Sequence, residues 1–116
     1  MDNIVVGTVS LSWLKIMTNA SHRGEVQKLL VDPNYRGRGI AKQLLKRIEE
    51  LALLQKFKLL ILDTKSTDQI STNLYRKMGY LEVGNIPYFA FDTTGYHSTL
   101  FFYKIIDKEL INIKNN

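Results

Sequence analysis

The stretch from Leu29 to Ala41 constrains the fold of this chain more than any other. Leu29, Leu30 and Val31 form an apolar run that reads as the end of a strand. Asp32, Pro33 and Asn34 stop it, because proline removes a ladder donor and Asp and Asn favour turns. Arg36, Gly37, Arg38 and Gly39 follow, and an amphipathic helix begins at once with Ile40 and Ala41. Glycine lets a backbone curl tightly and offer its N–H groups with no side chain in the way. A helix N-terminus adds unpaired N–H donors and the positive end of a dipole. Arginine adds a forked cation matched to phosphate oxygens. Together these parts describe a cradle for a pyrophosphate-like anion.

The rest of the chain surrounds this strand, loop and helix. Residues 4–11 are β-branched and partly alternating, and read as a strand. Residues 12–17 can continue it and residues 18–21 read as a turn, so residues 22–31 form a second, antiparallel strand. The helix spans about residues 39–55. Ile40, Leu44, Leu45, Ile48, Leu51 and Ala52 recur at helical spacing, with Lys42, Lys46, Arg47, Glu49 and Glu50 mostly opposite. Residues 57–62 are an almost continuous apolar run closed by Asp63 and Thr64, the pattern of a buried central strand. Strand, helix, strand in that order makes a right-handed crossover between parallel strands. Ser66 with Gln69 is a capping-box pattern for a short helix over residues 69–78, which Gly79 stops. Residues 80–83 read as a strand, residues 84–95 around Pro87 as irregular, and residues 98–106 as a strong last strand. Residues 107–116 are expected to fray. The expectation is a single α/β (α+β) domain, with a mixed, mostly antiparallel sheet, one parallel βαβ crossover and two main helices.

A chain of 116 residues suffices for one compact domain and not for two. It has no cysteine, which excludes disulfides, thiolate metal sites and a cysteine nucleophile, and its two histidines argue against a histidine-rich metal site. Met1, Asp2 and Asn3 do not make the basic start of a secretory signal, and no apolar run reaches membrane-spanning length. A soluble cytoplasmic protein without a membrane partner is the expectation. A net charge of +5 favours an anionic partner, either a phosphorylated cofactor or a nucleic acid. The basic residues are spread along the chain without a recognition motif, so nucleic acid is set aside.

With these elements placed, the sequence resembles the GNAT superfamily of acyl-CoA-dependent N-acyltransferases. Arg36, Gly39 and Ala41 match its Arg/Gln-x-x-Gly-x-Gly/Ala signature, and Leu74, Tyr75, Gly79 and Tyr80 match its Leu-Tyr-x-x-x-Gly-Phe/Tyr segment. The order of elements around them agrees. Residues 22–29, Leu62 to Thr64 and residues 84–87 resemble the branch containing the tabtoxin-resistance acetyltransferase. The resemblance covers about residues 4–106. It implies acetyl-CoA as cofactor, with the pyrophosphate on the N–H groups of Arg36, Gly37, Arg38, Gly39, Ile40 and Ala41. It places the pantetheine arm along the backbone of Leu29, Leu30 and Val31, and it implies direct acetyl transfer to a small primary amine.

Such a transfer needs an unprotonated amine in line with the thioester carbonyl, a donor for the developing oxyanion and a proton for the departing thiolate. Tyr75 holds the position of the family's tyrosine and is the expected general acid, since a phenol with its usual pKa of about 10 is protonated at pH 7. By residue type alone, Tyr75 is a ring packed against the sheet. Asp63, read as the end of the central strand, is expected to bind or deprotonate the amine; a turn or capping carboxylate is the alternative. Glu25 is a weaker candidate to activate water or amine, with a solvent-facing strand residue the slightly favoured reading. Arg38 and Lys42 are candidates for the phosphates, with Lys42 equally a residue of the solvated helix face, and His22 is a candidate proton relay near neutral pH, with an exposed turn position the favoured reading. Tyr88, Phe89, Phe91 and Tyr96 are candidates for the acceptor pocket or for ordinary core and rim.

The resemblance also implies a strand, two helices and a further strand ahead of the segment that Ile4 begins, with those helices walling the acceptor site. The sequence starts without them. Its first strand is then expected to be a bare sheet edge rich in Val and Ile, an association hazard, and to pair with a second copy of the chain. The alternative to an active enzyme is a CoA-binding or assembly module with little catalytic activity.

Overall fold

The computed structural model describes residues 4–12 and 21–111. The expected continuation of the first strand over residues 13–17, most of the turn after it and the end of the tail lie outside the described residues. The elements are β1 (Gly7–Ser12), β2 (Arg23–Val31), a 3-10 turn (Pro33–Tyr35), α1 (Ile40–Leu54), β3 (Leu59–Lys65), α2 (Gln69–Lys77), β4 (Leu81–Asp92), β5 (Gly95–Ile105) and α3 (Lys108–Ile111). Among the described residues the strands form one mixed five-stranded sheet in the order β1-β2-β3-β5-β4, with β1 and β4 at its edges. Two compact units divide the chain, one within Met1–Leu60 and Ile105–Asn116, the other Ile61–Lys104.

In the first unit, β1 and β2 pair antiparallel with Gly7 opposite Val31 and Ser12 opposite Glu25. Helix α1 buries Leu45, Ile48 and Ala52, the inward stripe of the periodic pattern, and leaves its charged face exposed. The Arg47–Glu50 ion pair on that face, at 3.1 Å, is solvent-exposed and contributes little. The helix stops in a Schellman motif: Lys56 N–H donates to the Leu53 carbonyl and Phe57 N–H to that of Ala52, each at 2.9 Å. Lys56 takes the left-handed position at φ 66° that glycine usually fills. Phe57 is buried as the hydrophobic residue that accompanies such a stop. This corrects the expected strand over residues 57–62: Phe57 belongs to the end of the helix and β3 begins at Leu59. Of the tail, residues 107–111 are described. Lys58 Nζ donates to Asp107 Oδ2 at 2.7 Å, raising the lysine pKa and lowering that of the carboxylate, and α3 follows.

The second unit closes on Leu62, Thr72, Tyr75, Tyr80, Leu100 and Phe102, all buried. Three expectations are corrected here. Strand β3 does not end at Asp63 but runs on to Lys65, since Asp63 points outward between buried Leu62 and half-buried Thr64 and so suits a strand position. The cap of α2 is Asp68, which accepts from Ser71 N–H at 3.0 Å; the Ser66 hydroxyl pairs with that of Ser98 instead. Residues 84–92 are strand, not an irregular stretch, and they hairpin with β5 so that Asp92 faces Gly95. Pro87 is tolerated because β4 is an edge and because the register shifts between Ile86 and Ala90, with Tyr88 at φ 59°. At the other end of α2, Tyr80 N–H donates to the Tyr75 carbonyl and Gly79 lies at φ 90°, the expected glycine stop.

The hairpin tip is tied by Asp92, which accepts from Thr94 N–H at 2.8 Å, Thr94 Oγ1 at 2.6 Å, His97 Nε2 at 2.9 Å and Lys65 Nζ at 3.2 Å. These donors hold its carboxyl well below the usual carboxylate range, those from Thr94 foremost. A native pKa below the unfolded value means stability that is present above the unfolded pKa of about 3.9 and lost as pH falls below it. Asp92→Asn is expected to lower the melting temperature at pH 6–7, with the gap to the native protein closing as melts are taken toward pH 2.

Candidate functional site

In the first unit the site residues are shaped by a bulge and a turn. The β1–β2 register shifts between Thr8, opposite Leu30, and Ser10, opposite Gln27, so β2 holds one residue more than β1. Lys28 absorbs it at φ 55°. The Thr8 and Ser10 hydroxyls donate to the Lys28 and Gln27 carbonyls, both at 3.2 Å. Beyond the bulge the inward face changes parity. Gly24 and Val26 are buried before it; after it, Leu29 and Val31 are half-buried and Leu30 is 64% exposed. Glu25 lies before the bulge, half-buried and opposite Ser12. His22 is in the exposed turn ahead of β2.

The strand then leaves the sheet as the sequence implies. Asp32 N–H donates to the Val6 carbonyl at 2.7 Å, and the Asp32 carboxylate accepts from Asn34 N–H at 2.9 Å, fixing the turn at Pro33. Gly37 and Gly39 lie at φ 80° and 76°, and a Cβ on either would meet no atom within 4 Å. The backbone angle demands glycine there, and the space beside the loop is open. Gly39 leads into α1 with no side-chain cap and no acidic residue in the first turn. The N–H groups of Ile40, Ala41 and Lys42 therefore have no carbonyl of their own helix to bind. Arg36 and Arg38 are exposed, with the Arg38 guanidinium 5.0 Å from the centre of the Tyr35 ring. Lys42 is exposed on the first turn of α1. Open backbone donors, a dipole end and forked cations fit a phosphate-bearing ligand.

In the second unit Tyr75 is 6% exposed, its ring 6.0 Å from that of Tyr80 and 5.6 Å from that of Phe102. Burial first, then the charges of Asp68 and Asp63, push its phenol up to about 12, against a smaller downward pull from a hydrogen bond with Ser71. The phenol is a neutral donor at physiological pH. Because its folded pKa exceeds the unfolded one, the stability tied to the neutral form is complete below pH of about 10 and lost as pH rises toward 12. Asp63 is exposed within β3, and its charge acts on Tyr75, so these two candidates share one neighbourhood. Tyr88, Phe89, Phe91 and Tyr96 are exposed on the β4–β5 hairpin, where they pair edge to face or tilted rather than filling a core. Sequence reasoning missed the Lys28 bulge, for which a lysine gives no signal. It also missed Asp68 and Ser71, whose Asp-x-x-Ser spacing before a helix is a capping signal in its own right.

A sheet strand delivering a bulge and a two-glycine, arginine-flanked turn to an uncapped helix start defines an α/β protein with open backbone donors at that turn. The model of the acetyltransferase (GNAT) family matches residues 1–80, and the chain belongs to that family. Over 64 residues it is 34% identical to an N-acetylaspartate synthetase from Xenopus tropicalis, covering 55% of this chain and 24% of that protein. Among solved structures, a ribosomal-protein-alanine N-acetyltransferase from Brucella melitensis superposes with a TM-score of 0.79 at 28% identity, over 86% of this chain and 61% of that one. A structure from Salmonella typhimurium with its cofactor acetyl-CoA gives a TM-score of 0.82 at 18% identity, over 90% and 60% of the two chains. The chain thus spans about a quarter of the synthetase's length and three-fifths of each solved chain. Among the described residues, no helix is long and apolar enough to cross a membrane.

Proposed function

We propose that this chain transfers an acetyl group from acetyl-CoA directly to a small primary amine. The observation that carries the reading is the loop. It has two glycines at positive φ, open space where their side chains would be and an uncapped helix start beside Arg36 and Arg38, in a chain of the GNAT family. In this reading the N–H groups from Arg36 to Ala41 hold the pyrophosphate, and the backbone of Leu29, Leu30 and Val31 takes the pantetheine arm. The unprotonated amine attacks the carbonyl carbon; the C–N bond forms, the C–S bond breaks, and Tyr75 gives its proton to the thiolate sulfur. Asp63 binds or deprotonates the amine, and Glu25 is the weaker candidate for that task. The donor is soluble and phosphorylated, which suits the net charge and a cytoplasmic setting.

Acetyl-CoA is expected to raise the melting temperature by mass action, and thiol release is expected with at least one amine of a panel. The panel begins with aspartate, after the name of the relative at 34% identity. A melting shift without thiol release from any amine would replace the enzyme by a CoA-binding module of little activity. Loss of both would overturn the reading. Gly39→Ala forces an L-residue into the left-handed region at a strain of about 1–2 kcal/mol, so it is expected to weaken acetyl-CoA binding roughly ten-fold, read as a smaller melting shift. The edge position of β1, with half-buried Val9 and Leu11, supports pairing of two copies through that strand. A monodisperse monomer in light scattering at high concentration would sink the pairing.

A further inference from the structure

We infer that Val6 and Gly7 are the seat of the phosphate loop, and that Gly7 is a positioning residue for the cofactor: the side chain it lacks sets how close the start of α1 comes to the sheet. The inference rests on the proposed binding of the acetyl-CoA pyrophosphate at Arg36 to Ala41 and names what holds that loop in place. Both ends of the loop meet the same two residues. The Val6 carbonyl accepts from Asp32 N–H at 2.7 Å, where the chain leaves β2. Gly7, opposite Val31, lies against the first turns of α1, where the chain leaves the loop. A Cβ on Gly7 would stand 3.1 Å from Leu44 Cδ1, 3.2 Å from Ile40 Cγ2 and 3.1 Å from the Leu30 carbonyl oxygen. All three distances are tighter than ordinary van der Waals contact.

Gly7 differs in kind from the two glycines of the loop. Gly37 and Gly39 stand at positive φ with open space around them, whereas Gly7 lies outside that region and is hemmed in. Its backbone does not require glycine, and a strand gains from alanine or valine in such a place. Close approach of a neighbour is the reason that remains for a glycine inside a strand. On one side that neighbour is the backbone of β2, which is paired with β1 and has no room to retreat. On the other side are Ile40 and Leu44 on the first two turns of α1, and Ile40 directly follows Gly39. A side chain at Gly7 would push the start of α1 off the sheet, and with it the N–H groups of Ile40, Ala41 and Lys42. The entry at Asp32 would stay tied to Val6. The two ends of the cradle would then part, and donors that no longer converge on a phosphate lose the distance and angle their hydrogen bonds need.

Gly7→Ala adds one methyl group and Gly7→Val adds more bulk at the same place. Titration calorimetry with CoA as the probe is expected to show affinity falling about five-fold in Gly7→Ala and about fifty-fold in Gly7→Val. Strand propensity alone would favour valine and leave binding unchanged. Leu44→Ala removes a carbon that the new methyl meets, so Gly7→Ala combined with Leu44→Ala is expected to bind CoA as tightly as Leu44→Ala alone. Equal affinity in the native protein and both Gly7 variants overturns the inference. So does the same loss from Gly7→Ala with and without Leu44→Ala. With an amine that the native protein acetylates, Gly7→Ala is expected to raise KM for acetyl-CoA and to keep kcat within about two-fold; a fall in kcat at unchanged KM overturns the positioning role. If the native protein does not bind CoA, the proposed function fails by that result alone, and backbone amide NMR still decides the inference. Gly7→Ala, the milder variant should Gly7→Val not fold, is expected to move the amide resonances of residues 37–42, and the added Leu44→Ala to undo that movement. Amide changes confined to β1 and β2 overturn it.

Discussion

Tyr75→Phe is expected to lower acetyl transfer by about 10²- to 10⁴-fold while leaving the melting shift with acetyl-CoA in place. The substitution removes one oxygen. The ring that packs against Tyr80 and Phe102 stays, so the second unit keeps its core. What disappears is a proton donor held neutral by burial, pushed up to about 12. A phenol so placed stays neutral near pH 7, in keeping with the proposed role of proton donor to the thiolate. The native rate is also expected to show no alkaline fall attributable to Tyr75 between pH 7 and 9. Thiol release by the two proteins, measured across that range with acetyl-CoA saturating, checks both statements. Turnover unchanged in Tyr75→Phe would remove the residue from the mechanism and return it to the core.

The parts of the fold that could be read ahead are those fixed by local chemistry. Two glycines that the backbone needs at positive φ, a proline that stops β2 and a 3.6-residue stripe in α1 each act within a few residues, and each stands where expected. The errors fall where a distant partner decides. Residues 84–92 look irregular because Pro87 and Gly84 argue against a strand, yet β5 lies alongside and the register shift absorbs the proline. Asp63 looks like a strand end because carboxylates favour turns, but one outward position in a strand accepts it. Phe57 looks like the first strand residue because apolar runs do not show where a helix stop ends and a strand begins; the Lys56 left-handed turn decides that. In the site, the loop was legible because it is built from backbone. The Asp68 cap was missed because Ser66 with Gln69 offers a competing capping pattern two residues earlier.

Phe102→Ala is expected to destabilise the protein by about 3–5 kcal/mol, the usual range for deleting a buried aromatic ring. Phe102 is 0% exposed in the middle of β5, opposite Glu82 of β4, and its ring meets Tyr75 edge to face at 5.6 Å. Three contributions are lost at once: the apolar burial, the filled volume and the ring-to-ring contact, the last contributing about 0.5–1.5 kcal/mol. Against a total stability of roughly 5–15 kcal/mol for a domain, this removes a large share, and a melting temperature lower by more than about 10 °C is the expected reading. Phe102→Leu separates the terms, because it keeps most of the volume and discards the ring; it is expected to fall well short of the alanine variant in stability. Its turnover carries more information than its melting point. Tyr75 is held by rings on two sides, and if Phe102 aims the phenol as well as filling space, Phe102→Leu loses kcat beyond what its modest destabilisation explains. Thermal melts and acetyl-transfer rates of the two variants, measured below their melting temperatures, test this. Full turnover in Phe102→Leu would show that Tyr80 and the helix backbone suffice to place Tyr75.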